Sequence, residues 1–379
     1  MSKKRKIRVD LRKNRSQPPR ARGWTRDYQE HGFADGEGTP AQERVRAKGD
    51  LSRRRTIIAD ETGASADAQS SMPAVDLSVC LPGRVLRVHG LYCAVAADDG
   101  RQFNCAVRRV LRNLVIDERN IVATGDRVWF RPAGPNEGVI ERVEPRHGTL
   151  TRASRNKEHV LVANVDQLVV VGSLAEPALK PHLIDRYLVS AEQGRIAPIV
   201  CLNKADLADA ADAQPLLGMY THLGVTILLT SAATGKGIAE LRDRLKGRQT
   251  VFSGQSGVGK SSLLNAVQPD LNLKVREVSE TNQTGQHTTT TAELIPLAIG
   301  GWVVDTPGIR QFDIWDVIPE ELEGFFPEFR PFVPLCRYPD CVHVDEDACA
   351  IKEAVHAHRI ALQRYESYVG LYAGKLDDE

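Results

Sequence analysis

Residues Gly254-Gln255-Ser256-Gly257-Val258-Gly259-Lys260-Ser261 form a G-x4-G-K-S loop, and Asn203-Lys204-Ala205-Asp206 form an N-K-x-D box some fifty residues upstream of it. In nucleotide-binding folds that carry both motifs, the loop ordinarily comes first and the box last. Here the order is reversed, and Asp305-Thr306-Pro307-Gly308 closes the set. A chain with this order must reach its sheet through a circularly permuted connection. That single constraint removes most ways of folding it.

The loop needs glycine because its backbone wraps closely around phosphate oxygens. Gly254 and Gly259 permit that approach, and the N–H groups of Gly257, Val258, Gly259 and Lys260 point inward, with Gln255, Ser256 and Ser262 in the same cradle. Lys260 bridges the β- and γ-phosphates, and the Ser261 hydroxyl is placed to bind Mg²⁺. An apolar run at 251–253 leads in, and helical spacing at 261–267 leads out, which is the strand–loop–helix context the motif requires. The following helix adds its N-terminal dipole.

Asn203, Lys204 and Asp206 sit at the end of the apolar run 196–202, where the carboxyl end of a strand meets a ligand crevice. A carboxylate at Asp206 accepts hydrogen bonds from guanine N1–H and the exocyclic amine, neither of which adenine offers. Lys204 covers the base plane with its stem, and Asn203 ties the box to the phosphate loop. A turn with an aspartate helix cap is the plainer alternative. Thr230-Ser231-Ala232, again after a strand, decides for a GTP/GDP site, with Ser231 and Ala232 supporting the base.

Asp305 follows the apolar run at 302–304 and is expected to hold Mg²⁺ through water, while the Gly308 N–H senses the γ-phosphate. Gly285-Gln286-His287-Thr288-Thr289-Thr290 lies where a nucleotide-sensing switch belongs, and Thr288 or Thr289 completes the metal shell. Ile309 stands where many GTPases place a water-orienting glutamine. Isoleucine cannot hydrogen-bond, so His287 becomes the internal candidate for that role, and turnover is expected to depend on a partner that orders the switch.

Cys336, Cys341, His343 and Cys349 offer four ligands within fourteen residues. A closed Cys3His set suits one structural Zn²⁺, whose binding supplies folding energy to a segment with little core. The other cysteines, Cys80, Cys93, Cys105 and Cys201, fall in apolar runs and read as small core residues. An odd count of seven with three clustered fits a reducing cytoplasm better than a disulfide framework. No apolar stretch approaches the length of a membrane span, and no apolar segment of a secretory signal follows the basic N-terminus.

The period of the pattern divides the chain. Residues 1–72 hold eleven Lys or Arg in the first 26 and few large apolar residues, so they are expected to lack structure for the most part. Their charge suits a polyanion, though a solubilising tail has the same composition. Within 73–148, short β-rich runs at 83–88, 91–97, 102–107 and 127–131 predict a small barrel, with the OB-fold favoured. From 149 to 314, strands at 167–172, 196–202, 225–230 and 251–253 alternate with helices at 182–192, 213–223, 238–245 and 261–267, giving a mainly parallel sheet with flanking helices. The segment 315–379 reads as a helical zinc-binding domain ending in a helix near 352–371.

A barrel, a permuted nucleotide fold and a Cys3His segment in this order resemble the ribosome small-subunit-dependent GTPase A family of bacteria. The resemblance spans about 75–360 and rests on residues 203–206, 254–262, 285–290, 305–308 and the four zinc ligands. It implies GTP hydrolysis stimulated by the small (30S) ribosomal subunit, a late role in that subunit's maturation and contact with 16S rRNA; a monomer is the default for a protein that docks on a large particle. The long N-terminal extension departs from the family pattern. Two other readings remain at this stage: an RNA-binding GTPase switch with a non-ribosomal target, and a non-hydrolysing RNA-binding adaptor. Intact Lys260, Ser261 and Asp305 argue against the adaptor.

Overall fold

A computed structural model describes residues 4–10, 54–60, 75–90, 92–108, 111, 121–153, 158–209, 211–273, 292–305 and 319–374. The chain divides into two compact units, Met1–Asp76 with Arg108–Ile116, and Leu77–Val107 with Asp117–Glu379. In the first, β1 (Lys4–Asp10) and β2 (Arg54–Asp60) pair antiparallel, with Lys4 opposite Asp60 and Asp10 opposite Arg54. Part of the extension expected to lack structure is thus a strand pair. The β-branched residues Ile7, Val9, Thr56, Ile57 and Ile58 supply the strand propensity that bulk composition hides.

The second unit begins with a closed barrel of five strands: β3 (Leu81–His89), β4 (Tyr92–Ala97), β5 (Gln102–Val107), β6 (Arg127–Pro132) and β7 (Glu137–Val143). Their order is β3-β4-β5-β7-β6, closed by β3 against β6, with β5 and β7 parallel. This is the OB arrangement. Strand β7 escapes a reading by hydrophobic alternation because Glu141 is buried on it and pairs with Arg131 at 3.3 Å. Strands β8 (Leu150–Ala153) and β9 (Glu158–Val162), also unanticipated, form an antiparallel pair that leads out of the barrel.

The parallel sheet contains β10 (Gln167–Ser173), β11 (Ala197–Asn203), β12 (Thr226–Leu229), β13 (Gln249–Ser253), β14 (Glu293–Pro296) and β15 (Trp302–Asp305). Its order is β12-β11-β10-β13-β15-β14, and only the edge strand β14 runs antiparallel. Every residue of β10 is buried, as expected for a strand covered on both faces. Leu168 and Val170 point to one core, which α1 (Pro181–Gly194) and α2 (Gln214–His222) cover. Val169 and Val171 point to the other, under α3 (Ile238–Leu245) and α4 (Lys260–Val267). The helix α1 forms because Pro181 starts its first turn and Ile184, Tyr187, Leu188 and Ala191 align on one side. It ends where Arg195 turns left-handed at φ 54°.

The barrel meets this sheet through polar contacts. Arg84 of β3 donates to Gln249 Oε1 at 2.6 Å, and Gln249 Nε2 donates to the Ala163 carbonyl at 2.7 Å. Asn164 Nδ2 donates to the Gly125 carbonyl at 3.1 Å, and Thr124 Oγ1 to the Ala292 carbonyl at 3.0 Å.

The C-terminal part consists of short 3-10 turns, Pro319–Phe325, Pro327–Phe329 and Val333–Leu335, then α5 (Ala350–His356) and α6 (Leu362–Tyr372). The single helix expected near 352–371 is two helices, parted where His358 adopts φ 55°. This part docks on the far side of α1. Val189 joins a core of Leu322, Phe326, Phe329, Ile351 and Tyr368. Beside it lies a buried ionic knot. Arg364, 2% exposed, donates to Asp185 Oδ1 at 2.8 Å and to Glu328 Oε1 at 2.6 Å, and its guanidinium lies 4.5 Å from the Phe326 ring centre. Asp185 also accepts from Ser367 at 2.5 Å and from Tyr220 at 2.8 Å. Burial alone lowers the Arg364 pKa, but Asp185 and Glu328 outweigh it and the net shift is upward. Among the described residues, no helix is long and apolar enough to cross a membrane.

Removing one partner of such a knot leaves buried charge uncompensated. Arg364→Ala is expected to lower unfolding free energy by about 3–5 kcal/mol in urea titrations. A loss below about 1 kcal/mol would contradict the network's assigned weight.

Candidate nucleotide and zinc sites

Every segment of the candidate nucleotide site that the structure describes leaves the carboxyl edge of the parallel sheet. Asn203 ends β11, Thr230 follows β12, the phosphate loop follows β13, and Asp305 ends β15. This is where open α/β sheets place ligands. Strand register brings the segments together: Leu202 pairs with Leu229, Val170 with Ser253, and Val251 with Val304.

The side chain of Asn203, 2% exposed, stands at their centre. Its Nδ2 donates to the Val258 carbonyl at 2.8 Å, and its Oδ1 accepts the Ala232 N–H at 3.2 Å. One amide thus connects the N-K-x-D box, the phosphate loop and the Ser231-Ala232 turn. It also explains Gly259. A Cβ there would lie 2.3 Å from Asn203 Nδ2, and the residue has φ 95°. Gly254 is bound as tightly, since its Cβ would fall 2.1 Å from the Val171 carbonyl at φ 137°. Both glycines are demanded by neighbours as well as by backbone shape.

Ser231 is fully buried, and its Oγ accepts the Thr234 N–H at 3.1 Å while its N–H donates to the Lys236 carbonyl at 2.9 Å. The Ala205 N–H donates to the Thr230 carbonyl at 3.0 Å, which locks the box to the turn. Asp206 is exposed, so its carboxylate is free to face a base at the crevice. Lys260 Nζ donates to the carbonyls of Gly254 and Gln255, each at 2.6 Å, so its ammonium lies inside the loop. Ser261 and Ser262 follow it in the first turn of α4, half-buried, while Ser256 is exposed on the loop and Gly257 half-buried. A cradle of backbone N–H groups, an internal ammonium and a serine hydroxyl at a helix start can bind polyphosphate.

The backbone of Asp305 closes β15 next to β13. His287, Thr288, Thr289 and Gly308 lie outside the described residues.

The second site is the Cys3His cluster. Ligand atoms of Cys336, Cys341, His343 and Cys349 all lie within 4.8 Å of one another. Cys336 Sγ and Cys349 Sγ are 3.5 and 3.4 Å from His343 Nδ1, and 4.0 Å from each other. A tetrahedron with Zn–S of about 2.3 Å and Zn–N of about 2.0–2.1 Å has edges of about 3.5–3.8 Å, so the donors fit Zn²⁺. The loop is built to hold them. His343 sits at φ 62°, Glu346 accepts the N–H groups of Val342 and Val344 at 2.7 and 3.0 Å, and the Tyr368 and Tyr365 hydroxyls bind the carbonyls of Val342 and His343, each at 2.9 Å.

His343 Nε2 faces Glu323 Oε2 at 2.6 Å, a carboxylate–histidine pair that fixes Nδ1 as the ligand atom. Sequence spacing gives no hint of Glu323, which stands twenty residues away in an acidic run. Cys105 and Cys201 lie outside the cluster, fully buried in strands β5 and β11, where burial pushes them up to about 12 and about 11.

The purified protein is expected to contain one zinc per chain by elemental analysis. Glu323→Gln should weaken zinc affinity by about 10–100-fold in competition with a chromogenic chelator. An unchanged affinity would remove Glu323 from the site.

The model of the RsgA GTPase family matches residues 143–315. A protein of Chlorobaculum tepidum named small ribosomal subunit biogenesis GTPase RsgA is 40% identical over 304 residues, covering 77% of this chain and 97% of that one. Its namesake in Moorella thermoacetica is 42% identical over 293 residues, with the same coverage of 77% and 97%. Among solved structures, the crystal structure of YjeQ from Thermotoga maritima matches with a TM-score of 0.65 at 39% identity, covering 79% of this chain and 100% of that one. YloQ, described as a circularly permuted GTPase, matches at 0.61 and 28% identity over 81% and 99% of the two chains. Sheet order, reversed motifs and these relatives agree: the chain belongs to the RsgA GTPase family.

Proposed function

We propose that this GTPase hydrolyses GTP as an assembly switch on the small ribosomal subunit, contacting 16S rRNA and working in the cytoplasm as a monomer. One observation carries the reading. Relatives named small ribosomal subunit biogenesis GTPase align over 97% of their own length.

In this reading Asp206 selects guanine, the Lys204 stem lies along the base, and Ser231 and Ala232 support it from behind. The loop from Gly254 to Ser262 cradles the phosphates, with Lys260 on the β- and γ-oxygens. Ser261 and Asp305 are the residues that would hold Mg²⁺, completed by Thr288 or Thr289, and the metal would neutralise developing phosphate charge. His287 orients the attacking water, in place of the glutamine that Ile309 excludes, and Gly308 reports the γ-phosphate. The C-terminal cluster holds a structural zinc. The barrel and the basic N-terminal residues are the polyanion-binding parts, since a barrel of this class and a run of lysines and arginines both suit phosphate backbones.

The test is GTP turnover by the purified protein, alone and with small ribosomal subunits. Stimulation of tenfold or more, by the order of effect a partner that orders switch residues supplies, is expected and should vanish in Lys260→Ala. Turnover that ignores the subunits would overturn the ribosomal assignment.

A further inference from the structure

The loop leaving β10 runs beside the N-K-x-D box, and its geometry is organised around one hydroxyl. Ser173 is the last residue of β10, stands in register with Asn203 and is 1% exposed. Its Oγ accepts the Ala175 N–H at 3.1 Å and donates to the Glu176 carbonyl at 3.1 Å. That same carbonyl accepts the Lys204 ammonium. One residue on, the Leu174 N–H donates to the Asn203 carbonyl at 3.0 Å, so loop and box are joined along their backbones as well. Lys204 has φ 61°, in the left-handed region that a lysine rarely occupies.

We propose that Ser173 is a positioning residue for the nucleotide base. It immobilises the Glu176 carbonyl, the carbonyl holds the Lys204 ammonium, and the stem of Lys204 is thereby laid out as a flat wall before the base arrives. The inference rests on the guanine reading of residues 203–206 and adds the group that presets the lysine. The physical gain is preorganisation. A lysine on a four-carbon stem samples many rotamers when untethered, and ordering it upon binding weakens affinity. Tethering the ammonium to a carbonyl that is itself held by a buried hydroxyl removes part of that cost in advance. Ser173 touches neither base nor phosphate in this scheme. Its effect passes through Lys204 and appears in binding, not in the chemical step.

The experiment follows release of a fluorescent GDP analogue by stopped flow, together with GTP KM and kcat. Ser173→Ala is expected to speed release by about 3- to 10-fold, the order of one lost hydrogen bond, and to raise KM while leaving kcat at saturation unchanged. Ser173→Thr, which keeps the hydroxyl, should restore both. In a Lys204→Met background, Ser173→Ala should add less than about twofold, because residues that act through one another are not additive. A wild-type release rate in Ser173→Ala overturns the proposal, as does a full additional loss in the Lys204→Met background. If Ser173→Ala folds poorly by thermal melting, Lys204→Met alone decides: it keeps a stem of similar length but loses the tether to the Glu176 carbonyl, so release should speed by about 3- to 10-fold, and a wild-type release rate would overturn the proposal. Asp206→Asn is measured in parallel. A persisting preference for GTP over XTP would defeat the guanine reading itself, whatever Ser173 does.

Discussion

The amide of Asn203 is the interaction on which the nucleotide site depends. It donates to the phosphate loop at Val258 and accepts from the turn at Ala232, while its backbone belongs to the box that ends β11. Three segments separated by up to 55 residues become one surface through one side chain. Nothing in that arrangement depends on which segment comes first along the chain. What it requires is that β11, β12 and β13 present their carboxyl ends together, and the order β12-β11-β10-β13-β15-β14 does so. Circular permutation therefore leaves the site intact and moves the chain's entry and exit. The barrel enters ahead of β10, and the zinc-binding part leaves after β15.

The second constraint is α1, which is packed on both sides. Tyr187 and Leu188 face the sheet core, while Val189 and the carboxylate of Asp185 face the C-terminal part. Glu192, near its end, pairs with Arg330 at 2.5 Å. Burying charge costs nearly what pairing returns, so the intact knot adds little net stability while losing one partner is costly. The zinc cluster has the complementary task. Its segment consists of short turns around four ligands, and the aromatic group of Phe326, Phe329 and Tyr368 packs between cluster and knot. Metal binding there would stabilise the same small core as docking on α1.

The legible parts of the sequence were those whose chemistry demands particular residues close together. A phosphate cradle needs its glycines, lysine and serine in eight consecutive positions, and four zinc ligands in fourteen residues allow few other meanings. Runs such as 168–171 in β10, apolar throughout, announce a sheet buried on both faces. The illegible parts are pairings across long separations. Asp185 and Arg364 are 179 residues apart, and neither lies in a motif. Glu323 finds His343 only after the 3-10 turn folds back over the cluster. Ser173 looks like an ordinary strand end until Glu176 and Lys204 meet beside it. The barrel's fifth strand hid behind a buried Glu141 that has Arg131 to satisfy it. The pattern of the last helix looks continuous, because nothing local marks His358 as a left-handed break. Local chemistry reveals sites, while tertiary pairing decides how they are held.

The central claim is that one amide organises the guanine-nucleotide site, and Asn203→Ala tests it most directly. Binding of a fluorescent GDP analogue is measured beside thermal stability. Alanine leaves the Val258 carbonyl and the Ala232 N–H without their partner, so affinity should fall at least about tenfold while the sheet still melts cooperatively. Wild-type affinity in a folded Asn203→Ala protein would contradict the account, because the three loops would then hold their places without it.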